Sequence, residues 1–336
     1  MLELHDTFFL LAILVFSIAF VFVRRFGRGL LLDHPNSRSS HTRPRSRAGG
    51  LVFGLVWLIA GWSFLLWRYS TGSQSVTLLG SPESNQLIFW FLSGATLIWI
   101  NGLLDDFFQL PARYRIILQA LGVAGGILGP DIFRQGLSPI LLALALIAFV
   151  YYINVFNFMD GTDGLAGSEA IFVLIVCAIL GVGGLLPAIL AAGLSVFLFW
   201  NFPRARIFMG DSGSNLLGYV TGYLLFRLFW QEPAAAVLIP VFFLSDATTT
   251  LLRRIWRGEP FYKAHNHHAY QHIARRYGHW SVLIFAAIVN VIVMLIIPFL
   301  RLTEMYMDIA CVLACYLLVG GTMFRLGAGK PGPSSG

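Results

Sequence analysis

Charged residues are scarce in this chain: they make up 12% of its 336 residues, against 57% that are hydrophobic. Ordinary soluble domains carry about 25% charged residues. A chain of this length could bury a large core, but it would still have to present a charged surface to water. The shortage excludes a conventional water-soluble globule and makes a bilayer the solvent, in keeping with a mean hydropathy of +0.75. Cysteine is scarce too. Cys177, Cys311 and Cys315 all lie inside apolar segments without metal-ligand spacing, so they read as small buried hydrophobes. The amino end, "MLELHD", has no basic stretch and no small-residue cleavage site follows, which argues for a first membrane helix over a signal peptide. Long soluble loops are also missing: the longest, 253–280, has 28 residues. No internal repeat stands out. A single membrane-embedded domain over 1–326 is expected, with a flexible tail at 327–336.

What is abundant is apolar sequence in runs that suit a membrane-spanning helix of roughly 17–25 residues. Eleven segments qualify, some of them short: 8–23, 49–67, 87–104, 116–128, 139–156, 170–184, 185–200, 214–229, 234–253, 282–300 and 306–324. The expected fold is therefore all-α and polytopic. With the amino terminus outside and the helices alternating, 19 of the 23 Lys and Arg residues fall on the cytoplasmic side, seven of them in the first loop, 24–47. That is the asymmetry of a multi-pass membrane protein with its C-terminus in the cytoplasm. The net charge of +7 is then a matter of placement and does not indicate nucleic-acid binding.

The same alternation gathers four polar clusters on the cytoplasmic face: "NGLLDDFFQLPARYR", "NVFNFMDGTDG", "NFPRARIFMGDSGS" and "KAHNHHAYQHIARR". A pore or pump needs polar residues at several depths; here the chemistry sits at one face. Carboxylates and amide oxygens are the hard ligands that Mg²⁺ prefers, one or two from protein and the rest from phosphate and water. Gathering Asp105, Asp106, Asp160, Asp163 and Asp211 without a cation would be costly through repulsion. A divalent ion and phosphates are the reading this supports. The plainer reading is that each aspartate caps the next helix, which suits Asp211 and Asp163 individually. The histidine-rich stretch with His265, His267, His268 and His272 fits a phosphate site better than zinc, since no cysteine is near and the nearest acids in sequence are Glu259 and Asp246. A solvated loop stays open. Asp246, inside a membrane segment, is either a functional acid or a structural partner for hydroxyls or a nearby arginine.

These residues resemble the polyprenyl-phosphate N-acetylhexosamine-1-phosphate transferases, the WecA/MraY-like family, over nearly the whole chain. The Asp105–Asp106 pair followed by "ARYRIILQ" is similar to the family's paired aspartates with their basic residue and glutamine. "NVFNFMDGTDGL" matches its N-x-x-N-x-x-D-G-x-D-G-L pattern, "NFPRARIFMGDSGS" its nucleotide and metal segment, and "AHNHHAYQH" its histidine loop. The first loop, "HPNSRSSHTRPRSRAGG", looks like the branch that begins O-antigen or related surface-glycan assembly, although Ala48 stands in place of one glycine and Arg115 in place of the usual lysine. The resemblance implies Mg²⁺, with Mn²⁺ as an alternative, at Asp211 and Asn157. It implies Phe208 stacked on uracil, Asn154, Asn201 and Arg115 at substrate, and Asp163 near the nucleotide. Asp105 or Asp106 would contact or deprotonate the lipid phosphate, Asp160 would belong to the catalytic set, and His265, His267 and His268 would hold the diphosphate. The implied reaction is attack of undecaprenyl phosphate on the β-phosphorus of a UDP-N-acetylhexosamine, by direct displacement, with UDP-GlcNAc or a 6-deoxy sugar such as FucNAc or QuiNAc as donor. A muramyl-pentapeptide donor is the alternative within the family, and a transporter or channel with an ion site at Asp246 the alternative outside it. Membrane lipids and a homodimer complete the expected partners.

Overall fold

The structure, a computed structural model, describes residues 12–21, 31–33, 44–72, 76–80, 84–127, 138–260, 265–300 and 304–331. Among them the helices run α1 (Ala12–Val21), α2 (Gly49–Thr71), α3 (Asn85–Phe108), α4 (Ala112–Ile127), α5 (Pro139–Met159), α6 (Leu165–Ile179), α7 (Leu185–Asn201), α8 (Asp211–Phe229), α9 (Pro233–Leu238), α10 (Val241–Trp256), α11 (Ala269–Tyr277), α12 (His279–Leu300) and α13 (Met305–Arg325). The only strands among the described residues, β1 (Leu32–Asp33) and β2 (Arg45–Ser46), pair antiparallel. The protein is all-α and polytopic. Five helices, α2, α3, α5, α12 and α13, are long and apolar enough to cross a membrane, and α1, α6 and α7 are shorter apolar helices. Local chemistry sets several of the ends. Ser84 caps α3 by accepting the Leu87 N–H at 3.1 Å, and Ser138 caps α5 by accepting that of Leu141 at 3.3 Å, ahead of a proline at the first helical position.

All eleven apolar segments carry helix, with two departures. The segment at 234–253 is two helices, because the chain turns at Ile239–Pro240 between α9 and α10. A proline has no N–H for the helical ladder and its ring crowds the preceding turn. The histidine loop is also not simply a loop, since it contains α11, nine residues long.

The centre of the bundle is α8, which packs against α2, α3, α5 and α6 and is buried along most of its length. Its buried residues include Ser212, Gly213, Ser214, Asn215, Gly218, Thr221 and Gly222. Small residues let membrane helices approach closely, where aliphatic side chains confer no special affinity over lipid. Two contacts show it. A Cβ on Gly50 of α2 would lie 2.1 Å from the Gly213 nitrogen, and one on Gly102 of α3 would lie 2.3 Å from the Asp211 carbonyl oxygen. Both crossings occur at the N-terminal end of α8, where the acidic residues collect. At the other extreme, α13 stands against α10 and α9 with only 6% of its apolar window buried.

Of the segment expected as a tail, 327–331 are described. Gly327–Lys330 form turns, Ala328 is fully buried, and the Gly329 N–H donates to the His267 carbonyl at 2.7 Å. Residues 332–336 lie outside the described ones.

Candidate active site

Three helix ends meet to form the site. Asp105 and Asp106 come from the last turn of α3, Asn154 and Asn157 lie one turn apart near the end of α5, and Asp211 opens α8. The two Asp106 oxygens accept the Asp211 and Ser212 N–H groups at 2.8 and 2.9 Å. A helix start leaves such amides without intrahelical partners and carries partial positive charge, so a carboxylate satisfies both needs. The cap of α8 is thus Asp106 from α3, not Asp211 itself. Gly210, at φ 76°, is needed there, since a Cβ would lie 2.9 Å from both Asp106 oxygens.

Beside this cap, Arg115 Nη1 donates to Asp105 Oδ2 at 2.6 Å and lies 3.8 Å from Asp211 Oδ2. Asp105 Oδ1 accepts the Leu110 N–H at 2.7 Å. Asn157 Nδ2 donates to Asp211 Oδ1 at 2.9 Å and to Ser214 Oγ at 3.1 Å. The structure therefore brings Asp105, Asp106, Arg115, Asn157 and Asp211 together. Asp160 follows α5, where burial first, and then the charges of Asp211 and Asp106, push its carboxyl well above the ordinary carboxylate range, against Arg47.

Other expected site residues fasten the walls. Asn154 Nδ2 donates to Gln119 Oε1 at 2.7 Å and to the Val150 carbonyl, tying α5 to α4. Asn201 Oδ1 accepts the Gly164 N–H and its Nδ2 donates to the Ile207 carbonyl, each at 2.9 Å. Asp163 does not cap α6. Its Oδ2 accepts the Arg204 and Ala205 N–H groups, each at 3.0 Å, and lies 3.3 Å from His279 Nδ1. Burial alone would raise the Asp163 carboxyl, but these hydrogen bonds hold it below the ordinary value. Asn201 and Asp163 thus shape the 202–208 loop, which ends in Phe208. Phe208 is half-buried, with its N–H donating to the Ser46 carbonyl at 2.8 Å and its carbonyl accepting the Gly49 N–H at 3.0 Å.

The histidines form a second group, joined to the first through the end of α5. The rings of His265 and His268 stack at 4.9 Å, and the Phe158 ring lies 6.5 and 6.2 Å from them. Tyr270 Oη donates to the Phe158 carbonyl at 2.8 Å. His268 is buried, with Nδ1 3.4 Å from Asp246 Oδ1; His267 Nδ1 is 3.6 Å from Glu259. Burial, with His268 and Arg254 beside it, lowers the His265 pKa to about 3, and burial also lowers that of His267. At neutral pH these two are hydrogen-bonding groups and not cations. Lys263, which opens the same histidine-rich stretch, lies outside the described residues.

Sequence reasoning left Asp246 open and missed Arg47 and His279. Asp246 is fully buried in α10, where Oδ1 accepts the Ala269 N–H at 2.9 Å and Oδ2 the Tyr270 N–H at 2.8 Å. It is the anchor of α11, and the oxygens that an ion site would use are engaged. Arg47 follows β2 and reaches the acids from the first loop, its carbonyl oxygen 2.6 Å from where a Gly210 Cβ would stand. The run of arginine before the glycines in "RSRAGG" was the available signal.

The donor set fits a hard divalent cation. Such an ion takes one or two protein oxygens and completes its shell with phosphate and water. Asp211 Oδ2 lies 3.8 Å from Arg115, the Asp211 carboxyl also meets that of Asp105, and Asn157 lies against its Oδ1. Among the described residues no three His, Cys, Asp or Glu converge to hold an ion by protein alone.

Residues 88–229, which carry every acid of this cluster, match the model of glycosyl transferase family 4. The chain is 31% identical over 262 residues to a probable undecaprenyl-phosphate N-acetylglucosaminyl 1-phosphate transferase of Bacillus subtilis (strain 168), covering 70% of this chain and 68% of that one. The chain belongs to glycosyl transferase family 4. A second family relative, the undecaprenyl-phosphate alpha-N-acetylglucosaminyl 1-phosphate transferase of Thermotoga maritima, is 27% identical over 89% of this chain and 91% of its own. A third, the phospho-N-acetylmuramoyl-pentapeptide-transferase of Deinococcus radiodurans, is 34% identical over 58% of this chain and 65% of its own.

Proposed function

We propose that the chain transfers an N-acetylhexosamine-1-phosphate from a UDP-sugar to undecaprenyl phosphate, giving undecaprenyl-pyrophosphoryl sugar and UMP. The observation that carries this reading is the convergence of Asp105, Asp106, Asn157 and Asp211 on three helix ends, with Arg115 against two of the acids. The names of the Bacillus and Thermotoga relatives support an N-acetylglucosaminyl donor; that of the Deinococcus relative keeps a muramoyl-pentapeptide donor as the alternative.

An oxygen of the lipid phosphate forms a bond to the β-phosphorus of the donor. The bond from that phosphorus to the bridging oxygen breaks, and UMP leaves with that oxygen and its electron pair. A phosphate monoester has its second pKa near about 6, so the acceptor is mostly dianionic at neutral pH. A dedicated base is then unnecessary. The geometry supports this economy: both Asp106 oxygens hold the start of α8, and Asp105 holds Arg115 and the Leu110 amide. These acids position the site, and Arg115 offsets the charge of two anions brought together. Mg²⁺, or Mn²⁺ in its place, would be held by Asp211 and Asn157 and would neutralise diphosphate charge. His265 and His267, neutral, would hydrogen-bond phosphate oxygens, and Phe208 would stack on the uracil.

In this reading the site faces the cytoplasm of a bacterial inner membrane, with the amino terminus outside, and the product opens assembly of O-antigen or a related surface polysaccharide. The test is UMP release by the purified protein against a panel of UDP-sugars, with and without polyprenyl phosphate and divalent cation. UMP formation that needs both is expected. UMP release that ignores the lipid acceptor, or none with any donor, would refute the proposal.

A further inference from the structure

A second polar site lies on the far side of the histidine loop, where α10 and α13 end side by side. After α13 the chain folds back on α10. Arg253 Nη1 donates to the Ala328 carbonyl at 3.0 Å and to that of Phe324 at 3.3 Å, and its guanidinium lies over the Phe324 ring at 4.1 Å. One turn on, Arg257 Nη1 donates to the Gly329 carbonyl at 3.1 Å. Between these segments is a cavity of about 620 Å³ lined by Arg253, Trp256, Arg257, Phe324, Lys330 and Pro331.

Among the described residues six side chains line it; three are cations and none is an acid. The Glu259 carboxylate is divided between Arg254 Nε at 3.1 Å and Arg257 Nε at 3.4 Å. A guanidinium has five N–H groups, and among the described residues the hydrogen bonds of Arg253 start from Nη1, with Nη2 and Nε left for a ligand. Cations in the last turn of a helix commonly answer that helix's own carbonyls. Here they reach across to the carbonyls of another segment, which turns the pair toward the cavity.

The level of the cavity identifies the ligand. The apolar span α13 ends at Arg325, so the cavity lies where hydrocarbon gives way to headgroups. Trp256 on its rim is 88% exposed, and a tryptophan at that depth sits comfortably only at a membrane interface. A soluble anion would gain from the cations alone. A lipid would also cover Trp256 and Phe324 with its glycerol and acyl groups.

We propose that this cavity binds the phosphodiester headgroup of an anionic diacyl phospholipid, with Arg253, Arg257 and Lys330 around the phosphate and Trp256 at the glycerol level. Basic pockets between helices at a membrane surface are suited to such headgroups. The Gly329 N–H that meets the His267 carbonyl places the bound lipid one hydrogen-bonded layer behind the histidine loop.

The experiment uses the full chain in nanodiscs of phosphatidylcholine, with and without phosphatidylglycerol, reading retained lipid by native mass spectrometry and the melting temperature. Saturable retention of a single phosphatidylglycerol and a higher melting temperature are expected. Lys330→Gln should weaken retention about fivefold, from the ~1 kcal/mol of a basic side chain at an anionic surface at ~1.4 kcal/mol per decade. Its backbone carbonyl, not its ammonium, makes the contact to His272, so this variant keeps the turn. Arg257→Gln should weaken retention by at least as much. Equal retention of phosphatidylcholine, indifference to Lys330→Gln, or displacement of the lipid by inorganic phosphate at equal concentration would each overturn the lipid site.

Discussion

Replacing Asp246 by asparagine should loosen the histidine loop without disturbing the bundle. The aspartate is fully buried, and its two oxygens accept the Ala269 and Tyr270 N–H groups at 2.9 and 2.8 Å, with the Thr250 hydroxyl at 3.1 Å from Oδ1. An asparagine of the same shape keeps one acceptor and turns an NH₂ toward the other backbone donor. One buried N–H then has no acceptor, at a cost of ~1–3 kcal/mol, and the loss of negative charge at the start of α11 acts in the same direction. At ~1.4 kcal/mol per decade this makes local opening of α11 about 5- to 150-fold more frequent. Hydrogen exchange of peptides covering 265–277 should accelerate by that factor, while α8 exchanges as before. UMP formation should fall in kcat, because His268 leans on the same carboxylate. Unchanged exchange across 265–277 would refute the assignment of Asp246 as the anchor.

Asp211→Asn should reduce turnover by at least about 100-fold, the scale of losing one preorganised charge at a reacting centre, with little change in melting temperature; near-normal UMP release at ordinary Mg²⁺ would remove Asp211 from the ion site. Phe208→Ala should raise the KM for UDP-sugar by roughly ten- to a hundredfold, from ~1–3 kcal/mol of base stacking, and leave the KM for undecaprenyl phosphate nearly unmoved; equal rises in both would make Phe208 a membrane anchor. Cysteine labelling from outside should modify a probe at Ser75, which lies outside the described residues, but not one at Ser46; the reverse pattern would invert the orientation. Acid should destabilise the protein through His265. Its folded pKa of about 3 lies below the ordinary ~6.5, so as pH falls from ~6.5 toward ~3 the unfolded chain binds a proton that the folded one refuses. His265→Gln should flatten that part of the melting-temperature profile, and an unchanged acid slope would count against the burial of this ring.

Much of the architecture was legible without coordinates because its causes are local. A membrane helix needs a minimum apolar length, and that can be counted along the chain, so each of the eleven segments carries helix. The spacing of Asn154 and Asn157 on one helical face and the glycines beside Asp160 and Asp211 are likewise local, and they marked helix ends that the fold brings near one another. The break before α10 had its signal in Pro240, which was passed over because the flanking residues stay apolar on both sides.

Which acid does which work was not legible, because that depends on partners distant in sequence. Asp106 holds the start of a helix 105 residues further on, Asp163 ties down a loop 41 residues away, and Asp246 anchors a helix 23 residues beyond it. In sequence all three are aspartates in or beside apolar segments. What separates them is where backbone N–H groups without helical partners arrive in space, and a buried carboxylate is bound to meet such groups wherever packing presents them. The composition of the chain determined that it would live in a membrane. Only the crossing of α3, α5 and α8 decided that Asn157 would meet Asp211 while Asp106 was spent on holding the start of α8 in place.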